Sequence, residues 1–279
     1  MKGGFPDADT LRALIVRELG HRQERVFSVM CEGRKVWVKR PVPHKRRVWH
    51  RCQRVAAAIV RVPMLAVTAD TEGSRALTRE CRIIGALRAK GVSVPEILAE
   101  EADWVALGDL GRSLADQVRA APTPDAARRL VEAGAHALAR LHALGAWHGN
   151  PLLRNIAGAP ERLGFLDFEE DPARRMSPLE CQTRDVLFYL FSVGAFSGEA
   201  LTLQQAALAA YLEQAAPEVR RRLRRVAWGA APLALLLSPL RRRAGRDVRQ
   251  GLDAWRVLFA MRDHDQPRGR SKTRGVTVT

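Results

Sequence analysis

Strand-forming alternation stops at Asp167, and the apolar pattern from residue 178 onward is helical. This change of period confines any β-sheet to the earlier part of the chain and leaves the rest to pack as helices. Before the change the signals are mixed. Residues 7–19 (DADTLRALIVREL) place Leu11, Leu14, Ile15 and Leu19 at helical spacing, and Gly20 stops that helix. Residues 24–40 read as a hairpin: Val26, Phe27 and Val29 in one strand, Glu32-Gly33 in the turn, and Val36-Trp37-Val38 in the second strand, with Lys39 at its end. Residues 74–90 (SRALTRECRIIGALRAK) form a helix with Leu77, Cys81, Ile84 and Leu87 on one face; Glu80 lies beside that face and Gly91 ends the helix. GVSVPEIL is a loop entering a strand, residues 103–107 (DWVAL) are a further strand, and Ser113 caps a short helix after the connection GDLGRSL.

The strongest helical signal covers residues 123–144. Thr123 caps it, Pro124 suits its first position, Leu130, Ala137, Leu138, Leu141 and Leu144 line its apolar side, and Gly145 ends it. His136 and His142 belong to its surface or to the core. An irregular loop follows, with Trp147 expected in the core and His148 packed under the loop. Then come a strand at Ile156-Ala157, a Gly-Ala-Pro turn, and a strand from Leu163 to Leu166 that ends at Asp167. Between hairpin and helix, Pro41 and Pro43 break the strand. A basic segment (HKRRVWHRCQR) and an apolar helix-like stretch from Val55 to Val67 fill the gap. Residues 264–279 lack apolar periodicity and read as a disordered basic tail.

Composition narrows the chemistry. The four cysteines (Cys31, Cys52, Cys81, Cys181) form no C-x-x-C pair and the seven histidines no H-x-x-x-H pair, which speaks against a Cys or His metal centre and for reduced, buried thiols. A net charge of +16 favours anionic partners: nucleotide phosphates, acidic lipid headgroups or nucleic acid. The first ten residues carry no apolar run of the signal-peptide kind. The longest apolar run, Val226 to Leu240, is interrupted by Gly229, Pro232 and Pro239 and is too short to span a bilayer. The expectation is a cytoplasmic protein, soluble or peripheral on the inner face of the membrane. RRRLRR at 220–225 and RRR at 241–243 bracket that run, so it is either a helix lying on an anionic surface or a core helix with solvated arginines at its ends.

Five residues form an ordered set. A strand ends in Lys39, and a helix carries Glu80 41 residues later. A His-Gly-Asn loop supplies Asn150, Asn155 follows five residues on, and Asp167 twelve beyond that. Asn155 and Asp167 flank a tight hairpin, so their side chains can converge. A carboxylate and an amide oxygen are hard donors suited to magnesium held together with phosphates. A strand lysine reaches phosphate oxygens as a point charge, and a helix carboxylate holds it in place.

In that order these pieces resemble the protein-kinase-like superfamily between Val36 and Asp185, particularly small atypical bacterial members. Those are the lipopolysaccharide-core (Kdo and heptose) kinases and the small kinase of the tRNA threonylcarbamoyladenosine machinery. V-W-V-K at 36–39 is similar to the strand ending in the nucleotide-binding lysine, and T-R-E-C-R-I-I-G-A-L at 78–87 to the helix whose glutamate pairs with it. H-G-N-P-L-L-R-N-I at 148–156 resembles the H-G-D-x-x-x-x-N catalytic loop, and L-D-F-E at 166–169 the D-F-G or D-F-E metal motif. R-D-V-L-F-Y-L at 184–190 resembles the next helix, whose Asp185 braces the catalytic loop.

The resemblance implies an α+β, two-lobed fold: a small β-rich N-lobe over 1–108, a larger helical C-lobe over 109–263, and the tail 264–279. It implies ATP and Mg2+ as cofactors and a hydroxyl acceptor, such as a lipopolysaccharide-core sugar or a protein Ser/Thr. Lys39 and Glu80 would serve nucleotide binding, Asn155 and Asp167 the metal, and Asn150 with Asp167 catalysis. Three departures bear on this. Asn150 stands where aspartate is usual, and an amide accepts no proton near neutral pH. No G-x-G-x-x-G precedes Lys39. Glu169, Glu170 and Asp171 follow the D-F pair; those acids could support a metal, and a solvated acidic turn is the favoured form. A pseudokinase module therefore stands beside the kinase reading, and an RNA-associated kinase is the third.

Overall fold

The structure, a computed structural model, describes residues 7–41, 74–196, 200–237 and 246–261. The basic segment and apolar stretch expected after Pro41, Cys52, the arginines 241–243 and the tail 264–279 lie outside the described residues.

Helix α1 (Ala8–Leu19) starts where the Asp7 carboxylate accepts the Thr10 amide at 3.1 Å, and it ends at Gly20. Strands β1 (Val26–Cys31) and β2 (Arg34–Lys39) pair antiparallel from Cys31↔Arg34 to Val26↔Lys39. The two residues between them, Glu32 and Gly33, both have positive φ (49° and 74°), the pattern of a type I′ hairpin turn. Strands β3 (Ile97–Glu100) and β4 (Val105–Gly108) complete an antiparallel sheet of order β1-β2-β4-β3. Side chains alternate across it. Phe27, Val29, Val36, Val38 and Ala106 bury one face against Leu11 and Ile15 of α1. Trp37, Val105 and Leu107 turn to the other face and join the core of helix α2 (Ser74–Ala89) through Leu77, Ile84 and Leu87.

The rest of the chain is mostly helical. Helices α3 (Leu114–Arg119) and α4 (Pro124–Ala143) are capped by Ser113 and Thr123 as expected. A short hairpin follows, β5 (Ile156–Ala157) with β6 (Gly164–Phe165). Then come α5 (Pro178–Val193), α6 (Ala200–Gln214), α7 (Pro217–Leu237) and α8 (Arg246–Ala260). The architecture is thus α+β, with a four-stranded and a two-stranded sheet among the described residues. One apolar core runs from α2 through Leu138, Phe168, Tyr189 and Tyr211 to α8, so it crosses the expected boundary at 108/109, which falls where β4 ends.

Several expectations need correcting. Strand β6 is only Gly164–Phe165, without Leu163 and Leu166. Leu144 caps α4 instead of lining its apolar side, and it is 46% exposed. Trp147 is half-buried rather than core, because Ala146 and His148 on either side both turn inward. Helix α7 buries Val219, Leu223, Ala227 and Ala234, and Arg222 is tied to Glu180 at 2.7 Å, the pattern of a core helix; Trp228 and Leu235 are exposed. No described helix is long and apolar enough to cross a membrane. Cys31, Cys81 and Cys181 are buried free thiols, and burial pushes Cys81 and Cys181 up to about 12.

Gly134, inside α4, marks the tightest crossing. A Cβ there would lie 2.4 Å from Tyr189 Oη and 2.5 Å from Leu114 Cδ2, while the Tyr189 hydroxyl is fixed by donating to the Val131 carbonyl at 2.5 Å. Alanine favours a helix over glycine by about 1 kcal/mol, but overpacking costs about 1–3 kcal/mol. Gly134→Ala is expected to destabilise on balance, read as a lower denaturation midpoint in urea.

Candidate functional site

Lys39 projects from the last residue of β2 on the face turned toward α2. Its ammonium donates to Glu80 Oε1 at 2.9 Å and to Asp167 Oδ1 at 2.6 Å, and it lies 2.8 Å from Glu169 Oε1. Lys39 is 6% exposed and Glu80 only 1%. Glu80 reaches this point because its place beside the apolar stripe of α2 puts it against the sheet, where it also accepts the Phe168 amide at 3.2 Å. Burial without these bonds would be prohibitive for either charge.

Asp167 follows β6 with φ +67°, a left-handed conformation that aspartate tolerates better than most residues. That kink turns its carboxylate to Lys39. Burial pushes the carboxyl up, but the ammonium of Lys39 outweighs it and holds the group below its ordinary range. Oxygens of Glu80, Asp167 and Glu169 lie within 4.8 Å of one another, a set that could hold a metal ion.

Asn155 is buried at the end of a short 3-10 turn (Leu153–Asn155). Its Nδ2 donates to the Asn150 carbonyl at 2.9 Å, which leaves its side-chain oxygen as a metal donor. Its own carbonyl accepts the Leu166 amide at 2.8 Å, tying it to the residue before Asp167. Asn155 and Asp167 both line a cleft of about 780 Å³ with Trp37, Lys39 and Glu80. Asn150 is not among the residues lining it and touches the site through Asn155.

The loop bearing Asn150 is held from below. Asp185 on α5 is fully buried; Oδ2 accepts the His148 amide at 2.6 Å and Oδ1 the Gly149 amide at 2.7 Å. His142 Nε2 donates to Asp185 Oδ2 at 3.2 Å, and its Nδ1 lies 2.7 Å from the Tyr211 hydroxyl. Gly149 has φ +95°, and a Cβ there would meet Pro172 Cδ at 3.0 Å, so glycine fits and bulkier residues do not. His148 stacks on Phe168 with ring centres 4.6 Å apart. Its Nε2 faces the Leu166 carbonyl at 2.9 Å and its Nδ1 the Asn150 amide at 3.2 Å. A carbonyl only accepts and an amide N–H only donates, so the proton sits on Nε2 and the ring is neutral. Burial lowers its pKa, in keeping with that tautomer.

The acidic turn is only partly solvated. Glu169 is drawn in by Lys39 and Arg25, Glu170 pairs with Arg184, and Asp171 leads into a 3-10 turn, Pro172–Arg174. Arg184 is fully buried; its Nε donates to the Gly149 carbonyl at 2.9 Å and its guanidinium lies 4.4 Å from the Phe188 ring centre. Arg79 donates to the Glu169 carbonyl at 2.5 Å. At the other end of the cleft, Trp37 Nε1 donates to Asp109 Oδ1 at 2.7 Å, and the Lys35 ammonium sits 4.1 Å from the Trp37 ring centre.

Arg25 and Arg184 were not expected at the site, whereas Glu169 was one of the acids that could support a metal there. A signal existed for Arg25: a two-residue turn at Glu32-Gly33 fixes the register and sets Arg25 opposite Arg40. Nothing local announces Arg184. A larger groove of about 1020 Å³, lined in part by Arg88, Arg140, Arg162 and Phe165, contains none of the predicted site residues.

No protein-family model matches the sequence, and no curated protein matches it.

Proposed function

We propose that this protein is an ATP-dependent phosphotransferase of the protein-kinase-like, two-lobed kind, acting on a hydroxyl acceptor. One observation carries the reading. Residues 39, 80 and 167, spread over 128 positions of sequence, meet at one ammonium beside a cleft that Asn155 also lines. Lys39 places a fixed cation where phosphate oxygens enter, and Glu80 orients it. The oxygens of Asp167 and Asn155 fit a magnesium ion shared with phosphates. Such an ion, when bound, neutralises charge on the bridging oxygens during transfer. Trp37 offers an aromatic wall for a base at the end of the cleft bounded by Asp109. Asn150 orients the acceptor hydroxyl without removing its proton, and proton abstraction by a general base is worth about 10²–10⁴-fold. A lipopolysaccharide-core sugar or a protein Ser/Thr meets the acceptor requirement by analogy alone.

The same asparagine supports a second reading, a pseudokinase module that binds nucleotide without turnover. Calorimetric titration with ATP and magnesium tests the first. Wild type is expected to bind in a magnesium-dependent manner, and Asp167→Ala to lose that dependence; equal binding by both would refute the metal assignment. Asn150→Asp is expected to raise ATP turnover by about 10²-fold or more, the low side of a general base's usual contribution. Binding with no turnover in either form selects the module.

A further inference from the structure

The hairpin that presents Lys39 closes at Glu32-Gly33, its far end. Six residues of strand at about 3.3 Å each separate that turn from Lys39 by roughly 20 Å. The turn therefore cannot cover groups bound at the Lys39 ammonium, and no G-x-G-x-x-G loop stands elsewhere before Lys39. What reaches that point is the residue entering β1. The Arg40 amide donates to the Arg25 carbonyl at 2.8 Å, and Arg25 Nε donates back to the Arg40 carbonyl at 3.3 Å. So fixed, the guanidinium pairs with Glu169 Oε1, the same oxygen that lies 2.8 Å from Lys39 Nζ. Arg25 also lines the cleft, and its side chain is 29% exposed. Two cations from neighbouring strands thus converge on one anionic oxygen, at the edge of the cleft that holds Asp167 and Asn155.

We propose that Arg25 is a second phosphate-binding cation of this cleft, and that the Glu169 carboxylate and the terminal phosphate of a nucleotide compete for the Arg25–Lys39 pair. The proposal rests on the phosphotransferase reading and deepens it. A guanidinium offers parallel N–H donors that suit phosphate as well as carboxylate. A terminal phosphate carries more charge than a carboxylate and more acceptor oxygens, so it is the stronger partner for two cations. Glu169 then holds Arg25 in its binding pose and yields to the incoming group.

The test is calorimetry in magnesium-containing buffer with three probes, ATP, adenosine and inorganic tripolyphosphate, on wild type, Arg25→Met and Glu169→Gln. Arg25→Met keeps the aliphatic stem and removes the charge. It is expected to weaken ATP and tripolyphosphate by about tenfold or more, the loss of one charge-assisted contact, and to change adenosine by less than about twofold. Glu169→Gln is expected to tighten both phosphate probes by removing their competitor. If Arg25 merely ties β1 to the segment after Asp167, Glu169→Gln weakens the phosphate probes or leaves them unchanged, and the proposal is overturned. Wild type that binds ATP with Arg25→Met unaffected also overturns it, while the phosphotransferase reading stands. Tripolyphosphate binding that depends on Arg25, without binding of ATP or adenosine, supports the cradle and sinks the nucleotide reading. A wild type that binds no probe sinks both.

Discussion

Lys39→Met is expected to lower turnover by about 10²–10³-fold, the loss typical of removing one fixed donor from a developing charge, and to destabilise the fold by about 3 kcal/mol, the lower end for breaking a buried ion pair. The two effects share a cause. Among the described residues, the ammonium is bonded to Glu80, Asp167 and Glu169 together. Without it, carboxylate oxygens within 4.8 Å of one another keep their charge and lose their main counterion. Glu80 is nearly inaccessible to water, whereas the Asp167 side chain is 40% exposed and relaxes part of the strain. Repulsion also predicts a pH signature. In the wild type the Asp167 carboxyl titrates below its ordinary value of 3.8, so its stabilising contribution is complete above that value. The contribution is lost as pH falls through the lower folded value. In Lys39→Met the Asp167 carboxyl loses the ammonium that lowers it and titrates higher, and the proton it takes up relieves repulsion. The stability gap between the two proteins should be widest at neutral pH and close as the solution is acidified below 3.8. Urea denaturation across that range measures it. A gap that stays constant would mean that the lysine stem, and not its charge, holds the sheet to α2.

Local signals read well where a short stretch settles the geometry. The turn at Glu32-Gly33 sets the hairpin register by itself, and Ser113 and Thr123 cap helices whose first turns carry the matching amides. The Lys39–Glu80 pair was expected from the resemblance of their strand and helix to kinase-like ones; periodicity alone puts Glu80 beside the apolar stripe of α2 and names no partner for it. Legibility failed where a charge is buried by a partner remote in sequence. Hydropathy places Arg184 outside, yet it is fully buried because the Gly149 carbonyl, Glu170 and the Phe188 ring all receive it. The run Glu169-Glu170-Asp171 looks like a solvated turn until Arg25, Lys39 and Arg184 arrive from the approach to β1, from β2 and from α5. Leu144 and Trp147 failed for the opposite reason: an apolar side chain at a helix end or in an extended loop faces wherever the backbone turns, whatever its hydropathy.

The same reasoning singles out Asp185 as the residue on which the His148–Asn155 loop depends most. Its two oxygens accept the amides of His148 and Gly149, and His142 adds a third donor. None of these groups has access to bulk water, since Asp185 is fully buried, His148 is 2% exposed and His142 is 8% exposed. Asp185→Ala leaves two amides and an imidazole N–H without their partner, at about 1–3 kcal/mol each before relaxation. The expected loss is about 3–5 kcal/mol. Asp185→Asn should do little better. Its amide nitrogen would face one of the loop N–H groups donor to donor, whichever way the side chain is flipped. Tyr211→Phe removes only the hydroxyl 2.7 Å from His142 Nδ1, one step farther out, and should cost about 1 kcal/mol. Global stability alone would not separate a loop brace from an ordinary core residue. Amide exchange does: His148 and Gly149 should lose protection in Asp185→Asn by far more than Val131 or Leu138 on α4. If all these amides lose protection equally, Asp185 supports the helical core as a whole, and the loop that carries Asn150 holds its shape without it.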